Sequence, residues 1–325
     1  MVRARIEDLS GKRGASMRAL LAAVVIVAGL GPLAHAEPLD SKRVSADAKW
    51  LVHIDADAMR AGKVPRTVGE LWLRIPSAPQ DLKKLSMAIG MDPTKDLHSV
   101  TIYGQRYAQP DAVVIVGAEV DRTRLTTLLK RKPDYRTESH HGHELLIWTE
   151  NKGKPDEHAV AGCFYQPGVI VFGRDTAAVK KALDVFSGTA RSLAESDPLF
   201  ARDVPSGTMI QARATGLADV ELFKSPLVQQ SKSLFVALGE NQGEVFAVAR
   251  LVTESTDVAR RVRAVVEGFL AMAELQLESD QDALKILEAV QVSTEGEKVA
   301  VECRGPADAA AKLVEKMWAK QLKPE

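Results

Sequence analysis

Three of the seven histidines fall within four positions, in the segment Ser139-His140-His141-Gly142-His143-Glu144. Imidazole is a common ligand for zinc, copper and nickel, so metal chemistry would reside here. A turn at Gly142 leading into a strand would put His141 and His143 on one face and point His140 and Glu144 away, because side chains alternate along a strand. His158, on the following strand, would complete a site of His141, His143 and His158. A polar turn with solvent-facing histidines accounts for the same residues without a ligand. A second group, His53-Ile54-Asp55-Ala56-Asp57, would bring an imidazole and two carboxylates to one face if a strand ran through it. Such a set holds a divalent ion or acts as acid and base. Helix capping by Asp55 or Asp57, with His53 hydrogen-bonded at a strand end, explains the residues more simply.

Other chemical signatures are missing from the sequence. His143-Glu144-Leu145-Leu146-Ile147 is similar to the opening of a zincin helix, but Ile147 stands where the second histidine is required, and the apolar run 145–148 reads as a strand. There is no Gly-x-Ser-x-Gly elbow, no phosphate-binding Gly-x-x-x-x-Gly-Lys, no Gly-x-Gly-x-x-Gly and no Cys-x-x-Cys. Cys163 and Cys303 each alternate with apolar residues, which favours burial as small hydrophobes over a disulfide joining two halves.

The elements that would carry these residues repeat. Four times, a hairpin of two apolar strands precedes an amphipathic helix. The strand pairs are Ser99 to Tyr103 with Ala112 to Ala118, Ala159 to Tyr165 with Val169 to Phe172, Ser233 to Leu238 with Glu244 to Val252, and Ala289 to Ser293 with Lys298 to Cys303. The helices open at Asp121, Asp175, Ser255 and Pro306, residue types that satisfy or spare the first helical amides. Trp50 to Ile54 and Thr208 to Ala212 each add a strand at the head of a half, and Glu144 to Thr149 is an extra strand in the first. The expected architecture is α+β, with two similar halves, 45–190 and 205–322, each an antiparallel sheet with helices packed on one face. In the longest helix, Val258, Val262, Val265, Phe269 and Met272 make the expected core stripe, and any part overhanging its sheet would be left for a partner or for the other half.

The N-terminus reads as a secretory signal, 1–36. Arg3, Arg5, Lys12, Arg13 and Arg18 precede the apolar run Ala19 to Leu30, and Ala34-His35-Ala36 supplies a small-x-small cleavage site before Glu37. The twelve-residue run is shorter than the ~20 residues a bilayer core requires. A periplasmic or secreted protein without a stable membrane span after cleavage is expected.

Over 325 residues, 46% hydrophobic and 26% charged side chains describe a globular chain large enough for two units, and exclude collagen-like and disordered classes. The 43 basic and 43 acidic residues balance, which argues against nucleic acid as a partner. Cleavage after Ala36 would leave 38 basic and 41 acidic groups, a charge of −3.

The segments Ser45-Ala46-Asp47-Ala48-Lys49-Trp50-Leu51-Val52-His53-Ile54-Asp55 and Asp96-Leu97-His98-Ser99-Val100-Thr101-Ile102-Tyr103-Gly104 resemble those of uncharacterised exported bacterial proteins that open a mature α+β domain in this way. The resemblance implies an envelope or secreted protein and supplies no catalytic residues. The expected function is that of a non-catalytic binding or structural protein of the bacterial envelope or periplasm, with no cofactor and with a protein or envelope component as partner. The alternative is a metal-binding protein or metal-dependent hydrolase using the histidine cluster.

Overall fold

The computed structural model describes residues 38–107, 111–196, 204–219, 226–277 and 280–321. The segment 1–36, expected to be a secretory signal, and the Asp197-to-Asp203 part of the expected linker between halves, lie outside the described residues.

Among the described residues, twelve antiparallel strands form one sheet. They are β1 (Trp50–Asp55), β2 (Leu97–Gly104), β3 (Val113–Ala118), β4 (Arg136–His140), β5 (His143–Glu150), β6 (His158–Gln166), β7 (Val169–Gly173), β8 (Thr208–Thr215), β9 (Ser231–Asn241), β10 (Glu244–Thr253), β11 (Val290–Glu295) and β12 (Lys298–Pro306). The longer helices are α1 (Ala56–Ala61), α2 (Lys63–Leu73), α3 (Ala78–Ile89), α4 (Arg122–Leu129), α5 (Thr176–Phe186), α6 (Thr256–Gln276), α7 (Gln281–Glu288) and α8 (Ala307–Gln321). The mixed α+β class stands, and all four hairpins with their following helices are present. Asp121, Asp175 and Ser255 cap α4, α5 and α6 through their side chains, as their residue types require.

The strands of the expected two sheets run side by side in a single order, β11-β12-β10-β9-β8-β1-β2-β3-β7-β6-β5-β4. The joint is the antiparallel pair β1–β8, with Trp50 opposite Ala214, Val52 opposite Ala212 and Ile54 opposite Ile210. Both strands begin their halves, and each is the edge strand of its own half's sheet. Pairing them therefore satisfies two rows of backbone groups that would otherwise need another cover. Outward from the joint the halves repeat one order: β1-β2-β3-β7-β6 on one side, β8-β9-β10-β12-β11 on the other. The hairpin β4–β5 extends the first half alone.

Helices cover both faces of the sheet, where one was expected. On one face, Val179, Ala182 and Leu183 of α5 pack with Leu51, Tyr103, Val113, Ile115, Leu145, Ile147, Cys163 and Val171. On the other, Leu129 of α4 packs with Leu146, Trp148, Val160 and Phe164. Residues 145 to 148 are apolar throughout, so β5 has no solvent face and needs cover on both sides.

A cross-half contact reinforces the joint. Gly62 precedes α2 and offers no capping side chain, and the Glu240 carboxylate at the end of β9 accepts from the amides of Lys63 (2.9 and 2.8 Å) and Val64 (3.2 Å) instead. Lys63 also pairs with Asp308 on α8. The strands expected at Ser233 to Leu238 and Glu244 to Val252 leave five residues between them, but β9 continues to Asn241, and Gln242 and Gly243, both with positive φ, make a two-residue turn.

Gly239 is a strand residue for a steric reason. A β-carbon there would collide with the Gly207 carbonyl oxygen and the Phe246 ring. Gly239→Ala is expected to destabilise the protein by about 2 kcal/mol or more. Gly162→Ala, whose new methyl would meet its nearest neighbour at 3.5 Å, is expected to cost much less. Urea unfolding of the two variants checks the difference.

Candidate functional site

The histidine segment forms a hairpin tip. His140 ends β4 and lies opposite His143, the first residue of β5. His141 and Gly142 make the two-residue turn, with φ of 48° and 81°. Both values are positive, as the tight turn matching strand twist demands, and Asn, Asp or Gly usually occupies its first position. β4 was not expected from the sequence, because Arg136-Thr137-Glu138-Ser139-His140 contains no apolar residue. Its place at the edge of the sheet explains this, for an edge strand is protected by polar and charged side chains.

The hairpin lies against α5. Glu138 and His140 are two apart on β4 and so share a face, and Lys180 and Asp184 are four apart on α5 and so share another. These rows meet. Lys180 Nζ donates to Glu138 Oε2 at 2.8 Å. His140 Nε2 lies 2.6 Å and His141 Nε2 3.1 Å from the same Asp184 Oδ1. The two imidazoles meet edge to face with centroids 4.4 Å apart. The two imidazoles and the carboxylate can offer ligand atoms that all lie within 4.8 Å of one another.

The expected trio His141, His143 and His158 is not brought together. His143 turns to the α5 face and stacks on Tyr165, which meets Phe186 in turn, with centroids 4.7 and 4.8 Å apart. His158 pairs in register with Glu150 at the far end of β5, seven residues or about 24 Å from His143. Its neighbour in alternation, Val160, belongs to the opposite face, and its own Nδ1 lies 2.7 Å from the Asp156 carbonyl oxygen. Alternation along β6 assigns it away from His143. Sequence reading missed His140 as a member and Asp184 altogether. The i, i+4 spacing of Lys180 and Asp184 beside an i, i+2 pair of polar strand residues is the signal that carried them.

At the other segment the chain turns from strand to helix at Asp55, whose Oδ1 accepts from the Ala58 amide at 2.8 Å. His53 Nδ1 lies 2.8 Å from Thr101 Oγ1 within the sheet. These two therefore do the structural work expected of them, and no shared face with Asp57 forms. Asp57 is buried and pairs with Arg60 one turn along α1 and with His98 Nδ1 at 3.0 Å. Arg60, with no exposed side-chain surface, also donates to the Leu97 carbonyl at 2.8 Å. Burial lowers the Arg60 pKa, while Asp55 and Asp96 oppose the shift.

The cysteines are both free, Cys163 buried and Cys303 half-buried. β6 and β12 stand eight strands apart in the sheet, roughly 38 Å at the usual spacing, so no disulfide can join them. Burial pushes the Cys163 thiol up to about 11 and raises that of Cys303 as well.

A surface cleft of about 550 Å³ opens beside the start of α5, lined by Asp47, Lys49, Arg106, Asp111, Asp175 and Lys181 among others. Its charges are largely matched within it: Lys181 with Asp47 at 2.6 Å and Arg106 with Asp111 at 3.2 Å.

The remaining feature is apolar. Over the C-terminal half of α6, Val265, Phe269, Met272 and Leu275 are 44, 66, 55 and 77% exposed. Val258 and Ala259 are buried, while Val262, Val266, Leu270, Ala273 and Leu277 are half-buried on the flank facing the sheet. The expected core stripe thus leaves the sheet after Val262, and a second apolar stripe takes its place. The half-buried positions run to Leu277 at the end of the helix, so α6 rests on its neighbours along one flank and turns Val265, Phe269, Met272 and Leu275 outward on the other.

Among known proteins, no family model and no curated sequence matches the chain. Solved structures of TP0453 are similar in fold. Crystal form III gives a TM-score of 0.48 at 10% identity, covering 86% of this chain and 99% of that one. Crystal form I gives 0.46 at 10% identity, with 86% and 98% covered. No helix among the described residues is long and apolar enough to cross a membrane.

Two outcomes check the buried groups. Asp57→Ala is expected to destabilise by about 3 to 5 kcal/mol, since it strands a buried guanidinium, and Asp57→Leu with Arg60→Met to recover most of the loss; chemical denaturation measures both. Native alkylation at pH 8 is expected to label Cys303 before Cys163, and the unreduced intact mass to show no loss of two hydrogens.

Proposed function

We propose that this is an exported, non-catalytic binding or structural protein of the bacterial envelope or periplasm, whose partner is a protein. The observation that carries the reading is the exposed apolar flank of α6, Val265, Phe269, Met272 and Leu275. Four large apolar side chains adjacent on one helix cost solvation free energy unless they are covered, and such patches mark interaction surfaces.

The charges of α6 favour a protein over an anionic lipid surface. Arg260, Arg261 and Arg263 are balanced by Asp257, Glu267 and Glu274, whereas helices that lie on membranes carry a basic polar face. Arg260 pairs with Asp257, and Arg263 pairs with Glu267 at 2.7 Å. The non-catalytic part of the reading is supported by how the prominent polar groups are used: caps, ion pairs and hydrogen bonds within the scaffold. Export rests on the basic, apolar and small-residue zones of positions 1–36, and the division into units 45–190 and 205–322 on the repeated strand order.

The test joins compartment to surface. In cell fractionation the protein is expected outside the cytoplasm with Glu37 as its first residue. There, a photo-crosslinking residue at position 275 is expected to capture one discrete protein, while the same residue at the exposed position 154 captures none. A cytoplasmic protein starting at Met1 contradicts export, and equal capture from both positions contradicts the role of α6.

A further inference from the structure

We propose that His140, His141 and Asp184 form a binding site for a divalent transition metal of zinc type, at the meeting of the β4–β5 hairpin and α5. The site is independent of the α6 surface. Its ligand set is two neutral imidazoles and one carboxylate, the combination that borderline cations such as zinc prefer, and one that leaves a coordination position open.

The geometry is close to that of a bound ion. Zinc–ligand bonds of about 2.0 to 2.1 Å at tetrahedral angles place ligand atoms about 3.3 Å apart. Here Asp184 Oδ1 lies 2.6 Å from His140 Nε2 and 3.1 Å from His141 Nε2. An outward movement of less than an ångström per ring admits the cation between them, and His141, 51% exposed, has room to make it.

Three features of the surrounding structure favour a cation there. Asp184 lies in the last turn of α5, where the carbonyl end of the helix dipole attracts positive charge. The ion pair between Lys180 and Glu138 holds hairpin and helix together one turn away, so the ligands come from anchored elements. His141 occupies a left-handed turn position at φ 48°, which the sequence could have filled at lower cost with Asn or Gly. Without a ligand, the three side chains would form only a hydrogen-bonded His–Asp–His cluster.

Calorimetric titration of untagged, chelator-dialysed protein with zinc chloride distinguishes the two. One equivalent is expected to bind at micromolar affinity. His141→Asn suits the turn better than the histidine it replaces, so it keeps the hairpin while removing a ligand; it is expected to weaken binding by at least about tenfold, as is Asp184→Asn. His158→Ala is expected to leave affinity within about twofold, being remote from the site. Cobalt added in place of zinc is expected to give the visible absorption of a four-coordinate ion, lost in His141→Asn. Substoichiometric binding by the unmodified protein would overturn the proposal, as would a loss in His158→Ala equal to that in His141→Asn.

Discussion

The backbone ladder between β1 and β8 is the constraint on which the rest depends. Each half builds its sheet outward from one of these strands, and each would end at an exposed row of amides and carbonyls if the other were absent. Their antiparallel register also sets the faces. Leu51, His53 and Gln211 are buried toward one side and Ile54 toward the other, so a slip of one residue would turn the polar pair into the apolar cluster around Ile54, Val100 and Ile102. The Glu240 cap on α2 and the ion pair from Lys63 to α8 then fasten helices of one half to strands and helices of the other.

From that frame the two candidate surfaces lie toward opposite edges of the sheet. Near one edge, α6 rests on the sheet by one flank, and the apolar flank from Val265 to Leu275 is left outward. At the other edge, β4 is a polar strand that folds over α5 and delivers two imidazoles to one carboxylate. The middle of the sheet, by contrast, uses its polar groups internally. His53 bonds Thr101, Asp55 caps α1, and Asp57 neutralises Arg60.

Much of the fold was legible because its signals are local. Alternating apolar runs gave the four hairpins, and Asp121, Asp175 and Ser255 marked helix starts one residue before each first turn. What was not legible depended on contacts distant in sequence. Nothing in Trp50-to-Asp55 or Thr208-to-Thr215 alone says that the two strands are neighbours, and the burial of Arg60 depends on Leu97, 37 residues away. The site suffered for the same reason. The histidine cluster is visible as a motif, but Asp184 lies 44 residues beyond His140, and the strand that aims His140 has no apolar pattern to reveal it. On α6 the helical period is legible and the buried face is not, since both Val258-Val262-Val265-Phe269 and Val258-Val262-Val266-Leu270 are apolar.

Hydrogen–deuterium exchange across the joint tests the shared sheet most directly. If the halves form one ladder, the amides of 50–55 and 208–215 should exchange together and as slowly as the central strands β2 and β9. Fast exchange in either segment, with its own hairpin neighbours still protected, would mean that the two halves stand apart and that the single twelve-stranded sheet is not the native arrangement.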